Sequence, residues 1–412
     1  MKILLAHNKY QVPGGEEVVL EQERQLLENA GHEVITYCRS NHEIEKFNAL
    51  ERLTLIGRTV WAVDTEREFS QLLTQEKPDI VHVHNTFFML SPSIYGACKA
   101  HGVPVVQTLH NFRLLCPSVT FFRDGKVCEE CVEHGLWRSV YHGCYRDSRA
   151  ATASVALMLG IHRFLRTWEK SVTCYIALTE FGRQKFIAGG LPPEKIAVKP
   201  NFVHPDPGER TRRAEYGLFV GRLSREKGIS TLLQAWERLP RHYALHIIGD
   251  GPERDGLEVQ ARQLGLSAVQ FRGRLSRDET LTAMKRARFL VVPSGWYETF
   301  GMCIAEAFAC GTPVICSRLG AMHELVSDGG TGLHFSCGDP SDLAEKVSWA
   351  WSHPNEMDAM GREARAEYEA KYTPERNYPM LMGIYRHALA TYGQRHQVSE
   401  SITTKEYQTV PK

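Results

Sequence analysis

The sequence predicts an α/β protein built from two doubly wound parallel-sheet domains that face each other across a cleft. Three observations predict it. Short apolar runs alternate with helical patterns from Lys2 to Asn201, the mark of a parallel sheet. The alternation restarts at Tyr216. Between the two series, residues 204–213 are rich in proline, glycine and charge and read as a linker. The 412 residues suit two such domains.

Residues 2–6 are an apolar run, read as a buried strand. Residues 8–15 are a loop carrying Pro13-Gly14-Gly15. Over 16–30, Val18, Val19, Gln22, Leu26 and Leu27 recur at helical spacing, and Gly31 stops the helix. Strands follow at 33–37, 79–84, 104–110, 173–179 and 196–201. In the second series, 216–220 is a strand, 221–228 a polar loop and 229–238 a helix. Further strands fall at 243–249, 269–272, 289–293 and 312–316. Helical patterns over 340–351, 355–371 and 374–391 close the fold. From Gly393 the tail is polar and aperiodic and reads as disordered.

The formal net charge is +1, which excludes nucleic-acid binding by bulk charge. His7, Asn8 and Lys9 interrupt the first apolar run too early for a secretory signal. The weakly polar run over 150–161 is far shorter than the roughly 20 residues of a membrane span. A cytoplasmic protein is expected. Its eleven cysteines then read as free thiols or a metal cluster rather than disulfides.

Ligands of open parallel sheets sit beyond the carboxyl ends of the strands, and four constellations lie in such loops. The first runs from Gly221 to Gly228, after a strand and before a helix. Arg222 and Lys227 set two cations beside a helix N-terminus, an arrangement suited to a diphosphate. Gly228 allows the tight turn into the helix. An ordinary solvated basic loop fits these residues too. The second spans 293–307, with Glu298 in a loop, Gly301 opening a helix and Glu306 on it. The N–H groups of Thr299, Phe300, Gly301 and Met302 fall where a helix start leaves donors unpaired. Glu298 can accept from sugar hydroxyls and Glu306 can hold a ribose diol; the plain alternatives are a helix cap and a surface residue. Third, Gly14 and Gly15 let a backbone approach a ligand across the cleft, or form a plain loop. Fourth, His110 ends a strand in Thr108-Leu109-His110-Asn111. It can meet a sugar hydroxyl or help discharge a leaving group, or be a structural hydrogen-bonding residue.

Together these motifs resemble family 4 of the retaining glycosyltransferases. Gly221-Arg222-Leu223 with Lys227-Gly228 is similar to that family's phosphate loop. Pro293-Ser294 through Glu298, Phe300-Gly301, Glu306-Ala307 and then Cys310-Gly311-Thr312-Pro313-Val314 is similar to its signature. Gly320 to Glu324, Gly329 to Gly332, and Asn201 after Lys199-Pro200 match its turns and interdomain segment. The resemblance spans roughly residues 1–390 and is strongest in the second domain. One departure is that Gly295-Trp296-Tyr297 makes the Ser294-to-Glu298 spacing one residue longer than the commonest version.

The resemblance implies the GT-B fold: two Rossmann-like domains across a cleft, with a C-terminal helix crossing back. The division is then an acceptor-side domain at 1–203, a nucleotide-sugar-binding domain at 204–373, a helix at 374–392 packing on the first domain, and a tail at 393–412. The resemblance further implies that Arg222 and Lys227 hold the donor diphosphate and Glu306 the ribose. Glu298 and the following amides would hold the transferred sugar, with Gly15 bringing an amide to the phosphate and His110 near the reacting carbon. The backbone around Arg274 and Leu275 would meet the base. Retention of anomeric configuration is implied as well. With no Asp-x-Asp motif in the sequence, protein cations are expected to take the place of a catalytic metal.

Cys116, Cys128, Cys131 and Cys144 form a cysteine-rich insertion at about 111–147. Four thiolates around a close central pair suit a structural zinc, with buried or redox-labile thiols as the alternative. Arg113, Arg123, Arg138, Arg146, Arg149, Arg163 and Arg166 surround the same region. With the 150–161 run they suit a lipid-linked acceptor at the inner, anionic face of a plasma membrane, or a solvated face beside one buried helix. The expected activity is transfer of a sugar from a nucleotide-diphosphate donor to a saccharide of surface polysaccharide or lipopolysaccharide synthesis. A nucleotide-sugar epimerase, a sugar phosphorylase, or a zinc-stabilised binding protein on the same fold are the competing readings.

Overall fold

The computed structural model describes residues 1–11, 14–209 and 214–407. Pro13 of the first loop, residues 210–213 of the linker and residues 408–412 of the tail lie outside the described residues. In chain order the first domain contains strands β1 (Lys2–Lys9), β2 (Glu33–Ser40), β3 (Ile80–Asn85) and β4 (Val105–Thr108). A short hairpin, β5 (Phe122–Arg123) and β6 (Lys126–Val127), precedes β7 (Cys174–Ala177) and β8 (Ile196–Val198). The second domain contains β9 (Tyr216–Val220), β10 (Ala244–Ile248), β11 (Val269–Gly273), β12 (Phe289–Val292), β13 (Val314–Ser317) and β14 (Gly332–Phe335). Both large sheets are six-stranded, ordered β2-β1-β3-β4-β7-β8 and β11-β10-β9-β12-β13-β14. Every pairing within them is parallel.

The apolar runs are continuous because both faces of each sheet are covered. In β1, Leu4 and Ala6 pack with Phe69, Ile94 and Leu159 on one face. Ile3 and Leu5 pack on the other with Leu20, Leu27, Leu381 and Tyr385. The last two belong to the C-terminal helix Pro374–Tyr407, which therefore crosses back to close the first domain. Tyr385 donates or accepts at His82 Nδ1 over 2.8 Å, and Asn377 Nδ2 donates to Pro200 O at 2.6 Å.

Three elements depart from the sequence reading. The β4 ladder stops at Thr108, so His110 stands two residues past the strand. β14 falls where the glycines at 329–332 read as a turn; its four residues are too few for a periodic signal. The C-terminal helix continues past Gly393 to Tyr407, a stretch with no proline and many good helix formers.

The carboxyl ends of the two sheets meet. Thr299 Oγ1 donates to His110 O at 2.7 Å and Thr179 Oγ1 to Thr299 O at 3.2 Å. The Glu324 carboxylate accepts from the N–H groups of Glu180 and Phe181 at 2.8 and 2.6 Å, the first turn of helix Glu180–Ala188.

Candidate active site

The loop after β9 is held by a glycine that nothing else replaces. Gly228 has φ +71°, and a Cβ there would stand 2.0 Å from Pro293 O. This contact sets the loop against the end of β12 and turns Lys227 towards Glu298. Lys227 Nζ donates to Glu298 Oε1 at 2.6 Å. Ser294 Oγ and Trp296 Nε1 donate to the same oxygen at 3.0 and 2.9 Å. Three donors thus fix one carboxylate oxygen, while Oε2 takes no hydrogen bond among the described residues. Burial pulls the Lys227 ammonium down and Glu298 outweighs it, leaving its pKa above the ordinary lysine value. Arg222, in contrast, is exposed and makes no ion pair among the described residues.

The longer Ser294-to-Glu298 spacing finds its explanation here. Trp296 supplies one of the three donors and lies 5.1 Å from Lys227 Nζ, ring centroid to nitrogen. Tyr297 reaches the other way, its hydroxyl donating to Glu129 Oε1 at 2.7 Å. Lys185 Nζ donates to that oxygen at 2.6 Å. The extra residue therefore ties the loop of the second domain to the cysteine-rich insertion of the first.

Two helix starts converge on the cleft, one from each domain. Helix Met302–Ala309 begins after Gly301, with Phe300 buried against Tyr372 at 5.7 Å. Helix Gly15–Asn29 begins opposite. A Cβ on Gly15 would lie 3.9 Å from Met302 Cγ, so the Met302 side chain bridges the two helix starts. The Gly14 N–H is already used, donating to Glu17 Oε2 at 2.7 Å. Paired N-termini of this kind favour an anion between them. Glu306, on the same short helix, faces Arg277 Nε at 3.6 Å. Burial raises its carboxyl, and Arg277 offsets part of the rise. Arg274 is exposed and Leu275 half-buried in the turn after β11.

His110 sits on a buried network that sequence reasoning missed. Its Nε2 lies 2.9 Å from His84 Nδ1, and the rings stack at 5.1 Å. His84 Nε2 faces Glu23 Oε2 at 3.4 Å, and Glu23 Oε1 accepts from Lys199 Nζ at 2.7 Å. Lys199 Nζ also donates to Asn377 Oδ1 at 3.0 Å. Glu23, His82 and His84 bring three candidate ligand atoms within 4.8 Å of one another. They do not fit a metal: both His82 nitrogens are engaged, by the Tyr385 and Thr108 hydroxyls at 2.8 Å each, and Lys199 already neutralises the carboxylate. Burial holds the His110 imidazole down at about 3.

Glu16 is a second residue of interest beside the cleft. Asn111 Nδ2 donates to its Oε1 at 2.8 Å, and burial pushes the carboxyl up to about 7. A carboxyl raised on folding stabilises the fold fully below its unfolded pKa of about 4.3, and that contribution is lost as pH rises towards the folded value. Glu16→Gln is therefore expected to melt higher than the parent at about pH 8 and to match it at about pH 4. Equal melting temperatures at the higher pH would contradict the assignment.

The four cysteines gather around Cys131. Burial pushes its thiol up to about 12, and Cys116, Cys144 and Cys128 add to the rise. Their sulfurs are nonetheless outside the one group whose ligand atoms lie within 4.8 Å among the described residues. Of the residues singled out in the sequence, the fold brings together Gly15, His110, Lys227, Glu298, Thr299 and Met302. Arg222 and Arg274 stand at the rim without such contacts, and the cysteines form a separate cluster.

Two family descriptions match the chain in succession. Residues 13–207 match Glycosyltransferase Family 4 and residues 206–367 match Glycosyl transferases group 1. The uncharacterized glycosyltransferase MJ1607 of Methanocaldococcus jannaschii is 27 % identical over 415 residues, covering 96 % of this chain and all of that one. MJ1178 of the same organism, also an uncharacterized glycosyltransferase, is 35 % identical over 169 residues, 41 % of this chain; the match spans 46 % of that relative's length. Among solved structures, Anabaena HepE in complex with UDP-glucose superposes with a TM-score of 0.66 at 19 % identity, covering 93 % of this chain and 99 % of that one. That likeness establishes the GT-B architecture. With both halves of the fold matched in order, the chain belongs to the family 4, group 1 glycosyltransferases.

Proposed function

We propose that this glycosyltransferase moves a sugar from a nucleotide-diphosphate donor to a saccharide acceptor with retention of anomeric configuration. The observation that carries the reading is the Lys227–Glu298 pair beside two converging helix starts. As the glycosidic bond breaks, negative charge gathers on the leaving diphosphate. Lys227 and the helix N–H groups are fixed in advance to meet that charge, and Arg222 at the rim adds a second cation, so they stabilise the transition state more than the ground state. Glu298, anchored through Oε1, keeps Oε2 for the hydroxyls of the transferred sugar, and Glu306 serves the ribose. The acceptor hydroxyl attacks from the face the diphosphate leaves, giving its proton to a departing phosphate oxygen, and no glycosyl-enzyme forms on Glu298. Chemistry at the diphosphate needs no bound metal in this scheme.

The test is donor binding followed by product analysis. Nucleotides and nucleotide sugars, UDP-glucose first because HepE has been solved with it, are screened for a rise in melting temperature with and without EDTA. A rise that survives EDTA, followed by transfer to an added saccharide with the donor anomer retained, supports the reading. Conversion of the sugar nucleotide without acceptor favours an epimerase, and binding without any turnover favours a binding protein.

We further propose that the acceptor is lipid-linked and met at an anionic membrane. Phe164 is 87 % exposed, and Trp137, Tyr141, Leu157 and Leu165 are exposed beside it on the segment 137–165. Leu157 and Phe164 lie two turns apart on one stripe of helix Arg149–Phe164. Arg149 approaches the Tyr141 ring to 5.9 Å, adding positive charge to the apolar surface. No helix among the described residues is long and apolar enough to cross a membrane. The protein is expected to float with phosphatidylglycerol vesicles, to stay behind with phosphatidylcholine, and to lose flotation as Phe164→Ser/Leu165→Ser. Equal recovery from both lipids would sink this reading.

The tetrad Cys116, Cys128, Cys131 and Cys144 is proposed to take a structural zinc, supported by the other three thiols each acting electrostatically on Cys131; binding would draw the four sulfurs closer together. Elemental analysis of purified protein is expected to find one zinc per chain, lost in Cys128→Ser/Cys131→Ser. A stoichiometry of zero in parent protein purified without chelator would refute it.

A further inference from the structure

We infer that Glu23 is a positioning residue: acting through His84, it sets the tautomer of His110 so that His110 presents a bare Nδ1 lone pair to the cleft. The chain of reasoning starts at the charge. Glu23 is 1 % exposed. Burial alone pushes its carboxyl up; Lys199 and then His84 outweigh that and hold it below the ordinary glutamate value. Glu23 is therefore a carboxylate, and a carboxylate only accepts.

Its Oε2 makes no hydrogen bond of normal geometry, and neither does His84 Nε2. The two face each other at 3.4 Å. A lone pair on that nitrogen would meet a charged oxygen in a buried setting, which is repulsive; an N–H there is attracted. His84 Nε2 carries the proton. Burial keeps His84 neutral, its pKa well below the ordinary histidine value. A neutral imidazole has one N–H, so His84 Nδ1 is an acceptor. It stands 2.9 Å from His110 Nε2, which must then be the donor. His110 is neutral too, so its Nδ1 is unprotonated.

No neighbour competes for these assignments. His82 stacks on His84 at 4.4 Å and its Nδ1 lies 3.7 Å from Glu23 Oε2, farther than His84 Nε2 and already engaged, since both His82 nitrogens are spent on hydroxyls at 2.8 Å. His7 meets His84 only edge-on at 6.4 Å. His110 Nδ1 has no hydrogen bond among the described residues, and its backbone carbonyl is tied to Thr299 of the opposite domain. The lone pair is available to the cleft.

An acceptor nitrogen selects for a ligand that offers O–H and against one that offers only lone pairs, such as a deoxyfluoro sugar. It also removes His110 as a proton donor to the leaving group. The use of the lone pair on a sugar hydroxyl rests on the donor-binding reading above; the tautomer does not.

The experiment is long-range ¹H–¹⁵N correlation on the full chain labelled at histidine, with His110 identified by its disappearance in His110→Asn. Parent protein at neutral pH is expected to show His110 protonated at Nε2 and bare at Nδ1. In Glu23→Gln the amide can donate to His84 Nε2, and the His110 signals are expected to move to the Nδ1–H form or to a mixture. Where Glu23→Gln does not fold, His84→Phe removes the relay while filling the space, and a mixed tautomer is expected. An Nδ1–H form in the parent, or an unchanged tautomer in a folded variant, overturns the inference. Failure of every nucleotide sugar to bind would sink the donor reading and leave the tautomer result standing.

Discussion

Arg222→Ala is expected to lower kcat/KM by about 10²–10³-fold while leaving the melting temperature of the free protein nearly unchanged. The size follows from removing one cation that meets the developing diphosphate charge once the donor is bound, worth about 3 kcal/mol. The small effect on stability follows from position: Arg222 is exposed and holds nothing else among the described residues. Lys227 offers a less clean experiment, because its removal also strips a partner from Glu298. Steady-state kinetics with the donor found by screening checks the prediction. Undiminished turnover would mean that the diphosphate does not sit at the loop after β9.

Lys199→Met is expected to destabilise the first domain by about 3–5 kcal/mol, the usual cost of stranding one member of a buried pair. Lys199 and Glu23 are 0 % and 1 % exposed at their side chains, and neither has water to fall back on. Glu23 is held below its ordinary pKa, so the pair's contribution is present above the unfolded glutamate value of about 4.3 and fades as pH falls through the folded value. The difference between parent and variant should therefore shrink in acid. Adding Glu23→Gln to the variant should recover part of the loss, since the stranded charge is gone. Denaturant unfolding followed by the first domain's tryptophans reads both effects, and a midpoint indifferent to Lys199→Met would contradict them.

What the sequence made legible was whatever is written locally. Residues 216–220 are a strand in both the reading and the structure because the run is apolar, short and bounded by loop residues. The facing loops at 221–228 and 293–302 carry their glycines, cations and carboxylate within a few residues of each other, so each could be read by itself. The network under His110 is different. Glu23, His84, His110, Lys199 and Asn377 come from five separate segments, and only the packing of the first sheet against two helices unites them. Signals were nonetheless present. Glu23 occupies the buried stripe defined by Leu20 and Leu27, where a carboxylate without a partner is costly. His82 and His84 interrupt β3, all of whose residues are buried. A polar residue set into an apolar pattern asks where its partner is, and no spacing rule answers that.

The C-terminal helix bears on how the molecule is made. Leu381 and Tyr385 complete one face of a sheet whose first strand lies almost four hundred residues earlier in synthesis. At about 5–20 residues per second the second domain takes on the order of ten seconds to emerge, and throughout that interval the face carrying Ile3, Leu5 and Ile176 has Leu20 and Leu27 over it but lacks Leu381 and Tyr385. The domain translated first is thus the domain finished last. A nascent chain stalled before Pro374 presents a partly uncovered apolar sheet face to whatever meets it.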